Sequence, residues 1–193
     1  LLDRLQACGR EVFLTREPGG TATGETIRSI LQHDRCGEPL CDETELFLFL
    51  AARAQLVSQV IKPELERGGV VLCDRFADST TVYQGYARGF GFERVEVMNK
   101  VATLGLEPDI TFLLDLTVEE SFNRLAERNR KNNSCRDRIE NEPREFHEQV
   151  RDGYLALAHR SPGRITVIDA TSDPETIGEQ IWAILKTLFF ESL

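Results

Sequence analysis

The run Val70-Val71-Leu72-Cys73, entered from Gly68-Gly69 and left through Asp74-Arg75, constrains this chain more than any other stretch. Continuous apolar residues bounded by turn formers describe a short strand buried on both faces, as strands of a parallel sheet are. Such a strand needs helices on either side. Helices are expected over residues 1–8, 23–31, 43–67, 80–84, 92–104, 118–128, 143–159 and 176–190, and further strands at 11–15, 110–115 and 165–169. Strand and helix alternate, so the expected fold class is α/β: a parallel β-sheet flanked by helices and joined by right-handed crossovers. Gly9 reads as a helix C-cap, and Pro63 should bend the long helix or cut its last turn.

A chain of 193 residues with 41% hydrophobic content closes around one core, so a single domain over residues 1–193 is expected. Charge interrupts the longest apolar stretches before the roughly 20 residues that span a bilayer, and no signal-peptide pattern opens the sequence. A cytoplasmic protein that binds no membrane is the expectation. A net charge of −9 argues against nucleic acid as a partner, since nucleic acid draws on basic faces. A small phosphorylated ligand needs only a local cluster of arginines. Cys8, Cys36, Cys41, Cys73 and Cys135 are odd in number and form no CxxC pair, so they read as reduced structural thiols. Cys36 and Cys41 flank a loop without a histidine partner, and His33, His147 and His159 read as surface residues.

Ligands of open α/β sheets bind at the carboxyl ends of strands, beside helix N-termini. Two segments here occupy such places: Thr15-Arg16-Glu17-Pro18-Gly19-Gly20-Thr21, and the stretch from Asp74-Arg75-Phe76 through Ser79-Thr80-Thr81-Val82-Tyr83-Gln84-Gly85. Arg75 offers a planar, permanently charged fork suited to phosphate, or it pairs with Asp74. Asp74 suits a cation-bound water, or caps the helix that follows. Pro18-Gly19-Gly20 either permits close approach of a phosphate or makes a plain turn. Phe49 and Arg53 are four apart on the long helix and share a face, as do Thr80 and Gln84.

In this order, with Phe49-Leu50-Ala51-Ala52-Arg53, Pro108-Asp109 and Asp137-Arg138-Ile139-Glu140, these segments resemble the thymidylate kinase family of P-loop nucleoside monophosphate kinases. The resemblance runs the length of the chain. It implies an ATP-dependent, Mg²⁺-requiring phosphoryl transfer to dTMP that yields dTDP and ADP, performed by a homodimer packed through helices such as 43–67 and 92–104. Another P-loop nucleoside monophosphate or deoxynucleoside kinase is the alternative, as is a noncatalytic nucleotide-binding module. The family's N-terminal strand and its GxxxxGK[ST] loop for ATP do not occur in this sequence. We expect them to precede Leu1, because the family places that strand mid-sheet and its loss would leave a gap through the core.

The resemblance also implies roles. Arg75 bridges acceptor phosphate and moving phosphoryl group, and Asp74 holds a Mg²⁺-bound water or orients Arg75. Arg16, Gly19 and Gly20 line the monophosphate site, Glu17-Pro18 is expected to be cis, and Arg28 lies near the phosphate or is an ordinary exposed helical arginine. Phe49 stacks on thymine, unless it is a core aromatic, and Arg53 donates to the base O4. Thr80 and Gln84 face the pyrimidine edge or serve as caps and surface residues. Tyr83 packs under the sugar and excludes a 2′-hydroxyl. The basic stretch 129–141 reads as a lid over the donor or as a solvated loop. Its Arg136 and Arg138 could stabilise the transition state, a task the family gives either to the lid or to the P-loop. Glu140 holds a second Mg²⁺-bound water or is a helix N-terminal acid.

Overall fold

The computed structural model describes residues 1–33 and 37–189. Cys36 and the final residue of the helix expected at 176–190 fall outside them. The first helix is α1 (Leu2–Ala7), followed at Gly9 by a positive φ of 75°. Strand β1 (Val12–Arg16) leads to α2 (Ala22–Gln32), whose Thr21 side chain accepts from Gly24 N and caps the first turn.

Next comes α3 (Asp42–Leu56), which continues through a π-helical stretch, Val57–Ile61, into α4 (Lys62–Glu66). Pro63 does not cut short this run, which ends at Glu66 against an expected 67. A proline ring strikes the carbonyl four residues back, here Gln59, and the wider π turn lies at that carbonyl. By length and composition Asp42–Glu66 is apolar enough to cross a membrane, with a mean hydropathy of 1.3, contrary to the sequence expectation. Here Leu46, Leu56 and Val57 are instead core residues, beside the buried charges of Glu45 and Arg53.

After β2 (Val70–Asp74) the chain forms α5 (Ala77–Thr80), a second π-helical stretch over Thr81–Ala87, and α6 (Phe92–Ala102). Then follow β3 (Thr111–Asp115), α7 (Val118–Asn132), α8 (Arg144–Arg160), β4 (Ile165–Asp169) and α9 (Pro174–Phe189). Helix α7 overruns its expected end at 128, so the first residues of the anticipated lid are helical. It stops at Asn133, whose φ of 47° is a left-handed cap. Helix α8 packs on the second π stretch: a Cβ on Gly153 would come to 3.0 Å from both Tyr86 and Val82, so any larger residue would push those side chains back.

The strands are parallel, as expected, but they make two sheets rather than one. Strand β1 pairs with β2 from Val12↔Val70 to Arg16↔Asp74, and β3 pairs with β4 from Thr111↔Ile165 to Asp115↔Asp169. Among the described residues no ladder joins the pairs. Between them runs a slot of about 1040 Å³ walled along its length by β2 on one side and β3 on the other. Each wall is a strand edge that pairs with no further strand among the described residues.

Candidate active site

A second cavity of about 590 Å³ opens at the carboxyl ends of β1 and β2. Arg28, Phe49, Arg53, Asp74, Arg75, Thr80, Tyr83, Gln84 and Glu140, all singled out in the sequence, line it. Asp74, Arg75, Tyr83 and His147 line both this cleft and the slot, so the two spaces meet at the strand ends.

Arg75 has a φ of 69°, a region that β-carbon sterics make costly for any residue but glycine. The Cys73 thiol donates to its carbonyl at 3.0 Å, and burial pushes that thiol's pKa up to about 12, which keeps the donor proton in place. Nε of Arg75 donates to the Glu17 carbonyl at 3.3 Å, and among the described residues neither η nitrogen is taken. Arg28 donates to the Pro18 carbonyl at 3.0 Å. Burial, and then the positive charges of Arg16 and Arg75, lower the pKa of Arg28. Guanidiniums gathered against their own repulsion make a ready site for a phosphate dianion. The Glu17-Pro18 bond is cis.

The Gly19-Gly20 turn is occupied by this chain's own carboxylate. Glu25 accepts from Gly20 N at 2.9 Å and from Arg16 Nη2 at 3.0 Å, and a Cβ on Gly19 would sit 2.5 Å from Glu25 Oε1. Arg16, Gly19 and Gly20 thus stand beside the cleft rather than on its wall.

Arg53 is 1% exposed and surrounded by acceptors. Nε reaches Glu17 at 2.9 Å, Nη1 reaches Thr80 Oγ1 at 3.0 Å and Asn99 Oδ1 at 2.7 Å, and Nη2 reaches Glu17 at 2.5 Å and the Phe76 carbonyl at 3.2 Å. A guanidinium has five N–H groups, and all five are engaged, one of them with Thr80 Oγ1 as the acceptor. Glu17 feels burial most, which raises its pKa, while Arg53 and Arg75 pull it down. Its other oxygen, Oε1, is buried without a hydrogen-bond partner among the described residues, as is Thr15 Oγ1. Asn99 completes the network by donating to Thr81 Oγ1 at 3.0 Å and to the Ala77 carbonyl at 3.1 Å. Tyr83, its pKa raised by burial, meets Phe146 and Tyr154 edge-on at 6.1 and 6.2 Å. Gln84 Nε2 donates to Glu45 Oε1 at 2.7 Å.

The lid residues are held down. Arg136 lies over the Phe122 ring at 5.3 Å, and Arg138 donates to Glu45 Oε2 at 2.5 Å and to the Leu31 carbonyl at 3.1 Å. Neither lines the cleft. Asp137 and Glu140 exchange side-chain-to-backbone bonds of 2.8 and 3.1 Å, the reciprocal pattern of a capping box. Arg128 adds a 2.7 Å bond to Glu140. A buried Glu45, Asn99 and the Glu17 carboxylate were not singled out by sequence, because an acid in a first helical turn and an asparagine on a helix look ordinary until distant segments meet them. His147, expected at the surface, is half-buried at the cleft against Phe122 and Phe146.

The sequence profile described as "Thymidylate kinase" matches residues 1–181, a span that contains every residue of this cleft. The chain belongs to the thymidylate kinase family. Among curated relatives, the "Thymidylate kinase" of Desulfovibrio desulfuricans is 51% identical over 179 residues, which is 92% of this chain and 82% of the relative. That of Desulfosudis oleivorans is 47% identical over 190 residues, covering 96% and 87%, and that of Solidesulfovibrio magneticus 45% over 186 residues, covering 95% and 88%. Thymidylate kinase family membership accounts for the parallel strands, the flanking helices and the arginine-rich cleft at their carboxyl ends as parts of a P-loop nucleoside monophosphate kinase fold.

Proposed function

We propose that this chain transfers the γ-phosphoryl group of ATP to dTMP, giving dTDP and ADP, and that the cleft is the dTMP site. The observation that carries the reading is the pair of untaken η nitrogens on Arg75, beside Arg28 and across from Phe49, Thr80 and Gln84. The acceptor phosphate binds between Arg28 and Arg75, and the base lies against Phe49 with its polar edge toward Gln84. Arg75 then touches both the acceptor oxygen and the incoming phosphoryl group, neutralising charge that spreads over the transferred oxygens. Tyr83 backs the sugar and excludes water from that side. Since all five N–H groups of Arg53 are engaged, its share in base recognition is to hold Thr80 and Glu17 in the wall, or to share one N–H with the base.

Mg²⁺ bound with ATP would neutralise charge on the donor phosphates. Asp74 fits the cation: an exposed carboxylate at the strand end with no described partner, where one or two carboxylates are what a phosphate-bound Mg²⁺ takes from a protein. Glu140 fits less well, being held by the Asp137 amide and Arg128. We further propose that the slot between β2 and β3 receives a fifth parallel strand carrying the family's phosphate loop. Two facing unpaired strand edges and the opening of the slot onto Asp74 and Arg75 support this. The exposed apolar residues Phe47 on α3 and Val97, Val101 and Leu104 on and just after α6 support a homodimer built on those packed helices. Four described cysteines are free, which fits the reducing cytoplasm.

A substrate panel on the purified protein tests the reading. ADP release should follow dTMP and exceed that with UMP, CMP or thymidine. Preference for any of those three sinks it.

A further inference from the structure

Glu45 stands in the first turn of α3 with 1% of its surface exposed, and nothing in the proposed reaction uses it. Oε1 accepts from Gln84 at 2.7 Å, Oε2 accepts from Arg138 at 2.5 Å, and Arg88 reaches both oxygens at 3.3 Å. Arg88 is itself fixed by Glu142 at 2.5 Å and by the Phe146 ring 4.5 Å beneath it. Burial pushes the Glu45 pKa up, but the bonds donated by Gln84, Arg88 and Arg138 outweigh it and draw the pKa below the ordinary carboxylate value. Glu45 is therefore an anion.

An ionised carboxylate only accepts hydrogen bonds, whereas an amide has a donor end and an acceptor end. Gln84 has to turn its NH₂ to Glu45. Its oxygen is left facing away, and no described residue donates to it, while Gln84 itself lines the cleft.

We propose that Glu45 is a positioning residue for substrate choice: by locking the Gln84 amide in one of its two orientations, it presents an acceptor to the nucleobase and selects pyrimidines whose ring N3 carries a hydrogen. This rests on the reading above, that Gln84 meets the base, and adds the residue that sets the sense of the amide. Thymine offers an N3–H flanked by carbonyl oxygens. Cytosine offers the reverse, an N3 acceptor beside a 4-amino donor, and would need the amide rotated by half a turn. That rotation aims the Gln84 oxygen at the Glu45 carboxylate, leaving two buried acceptors opposed with no proton between them.

The test is kcat/KM for dTMP and for dCMP in the wild type, Glu45→Gln and Gln84→Met. A glutamine at 45 can present either end of its own amide, so Gln84 becomes free to turn. The dTMP to dCMP ratio should then fall roughly tenfold or more, chiefly through a lower KM for dCMP. A purely structural Glu45 would depress both substrates together and leave the ratio where it was, which would overturn the inference. If Gln84→Met collapses the ratio and Glu45→Gln does not, the base-reading role survives and this inference falls. If Gln84→Met leaves the ratio unchanged, Gln84 does not read the base and both fall. Should Glu45→Gln fail to fold by thermal melting, Glu45→Asp, which draws the acceptor back by one methylene, is read for the same ratio with the same outcomes.

Discussion

Arg53 and Glu17 form an ion pair of 2.5 Å in which the two side chains are 1% and 4% exposed. The pair ties the last turn of α3 to the loop after β1, so the floor of the cleft is fixed by electrostatics that water does not screen. Desolvating both charges is costly, and their attraction with the added bonds from Thr80, Asn99 and Phe76 offsets that cost only while both partners are present.

Removing one partner should therefore hurt more than removing both. Arg53→Met is expected to destabilise the fold by about 3–5 kcal/mol, because Glu17 is left buried without its partner. The double change Glu17→Leu with Arg53→Met should recover a large part of that loss. Urea unfolding of the three proteins measures it, and equal losses in the single and double variants would contradict the account.

Arg75 and Phe49 should separate kinetically. Arg75→Ala removes the group that meets the moving phosphoryl, so kcat should drop on the order of 10³-fold while the KM for dTMP changes little. Phe49→Ala removes a stacking plate worth about 1–3 kcal/mol per base, which should raise the KM for dTMP roughly tenfold or more and leave kcat nearly alone. Steady-state kinetics on both variants checks the contrast. A dominant KM effect at Arg75, or a dominant kcat effect at Phe49, would exchange or abolish the assigned roles.

Much of this was readable in the chain itself. The strands fall within a residue of expectation because short apolar runs bounded by polar and turn residues leave little freedom. Nine of the cleft residues were identifiable: five fall in the segment from Asp74 to Gln84 and Phe49 and Arg53 share one face of α3, with Arg28 on α2 and Glu140 in the lid stretch. The π turns were not readable, since they answer to Pro63 and to packing against α8 rather than to a local pattern. Nor was the wiring behind the cleft. Glu45 meets Gln84, Arg88 and Arg138 across 39, 43 and 93 residues of chain, and only the tertiary fold makes that first-turn acid a hub. The division of the sheet into two separate pairs, with a slot between them, is a finding of the structure.

At the end of β3, Asp115 takes two bonds from Arg151 of α8, at 2.7 and 2.8 Å. These bonds hold the Asp115 pKa below its ordinary value of 3.8. A carboxylate depressed in the folded state contributes stability above its unfolded pKa and loses it as the pH falls through the folded one. The stability gap between wild type and Arg151→Met should thus be widest at neutral pH and close in acid, below the ordinary aspartate range. Denaturant melts across a pH series give the slope, and a gap that widens on acidification would reverse the sign argued here.

The α3/α6 face permits a sharper test of association. Val97, Val101 and Leu104 recur at helical spacing and are 64%, 75% and 61% exposed, next to Phe47 at 59%. In a two-fold dimer the same patch supplies both halves of the contact, so a residue near the axis meets its own copy or a close neighbour. Val101→Glu would then bury two carboxylates of like charge in an apolar seam. The wild type should sediment as a dimer and Val101→Glu as a monomer at micromolar concentration, whereas Val101→Leu should keep the dimer. A wild type that sediments as a monomer under the same conditions would leave this apolar stripe without a second copy to cover it, and the dimer proposal would fail with it.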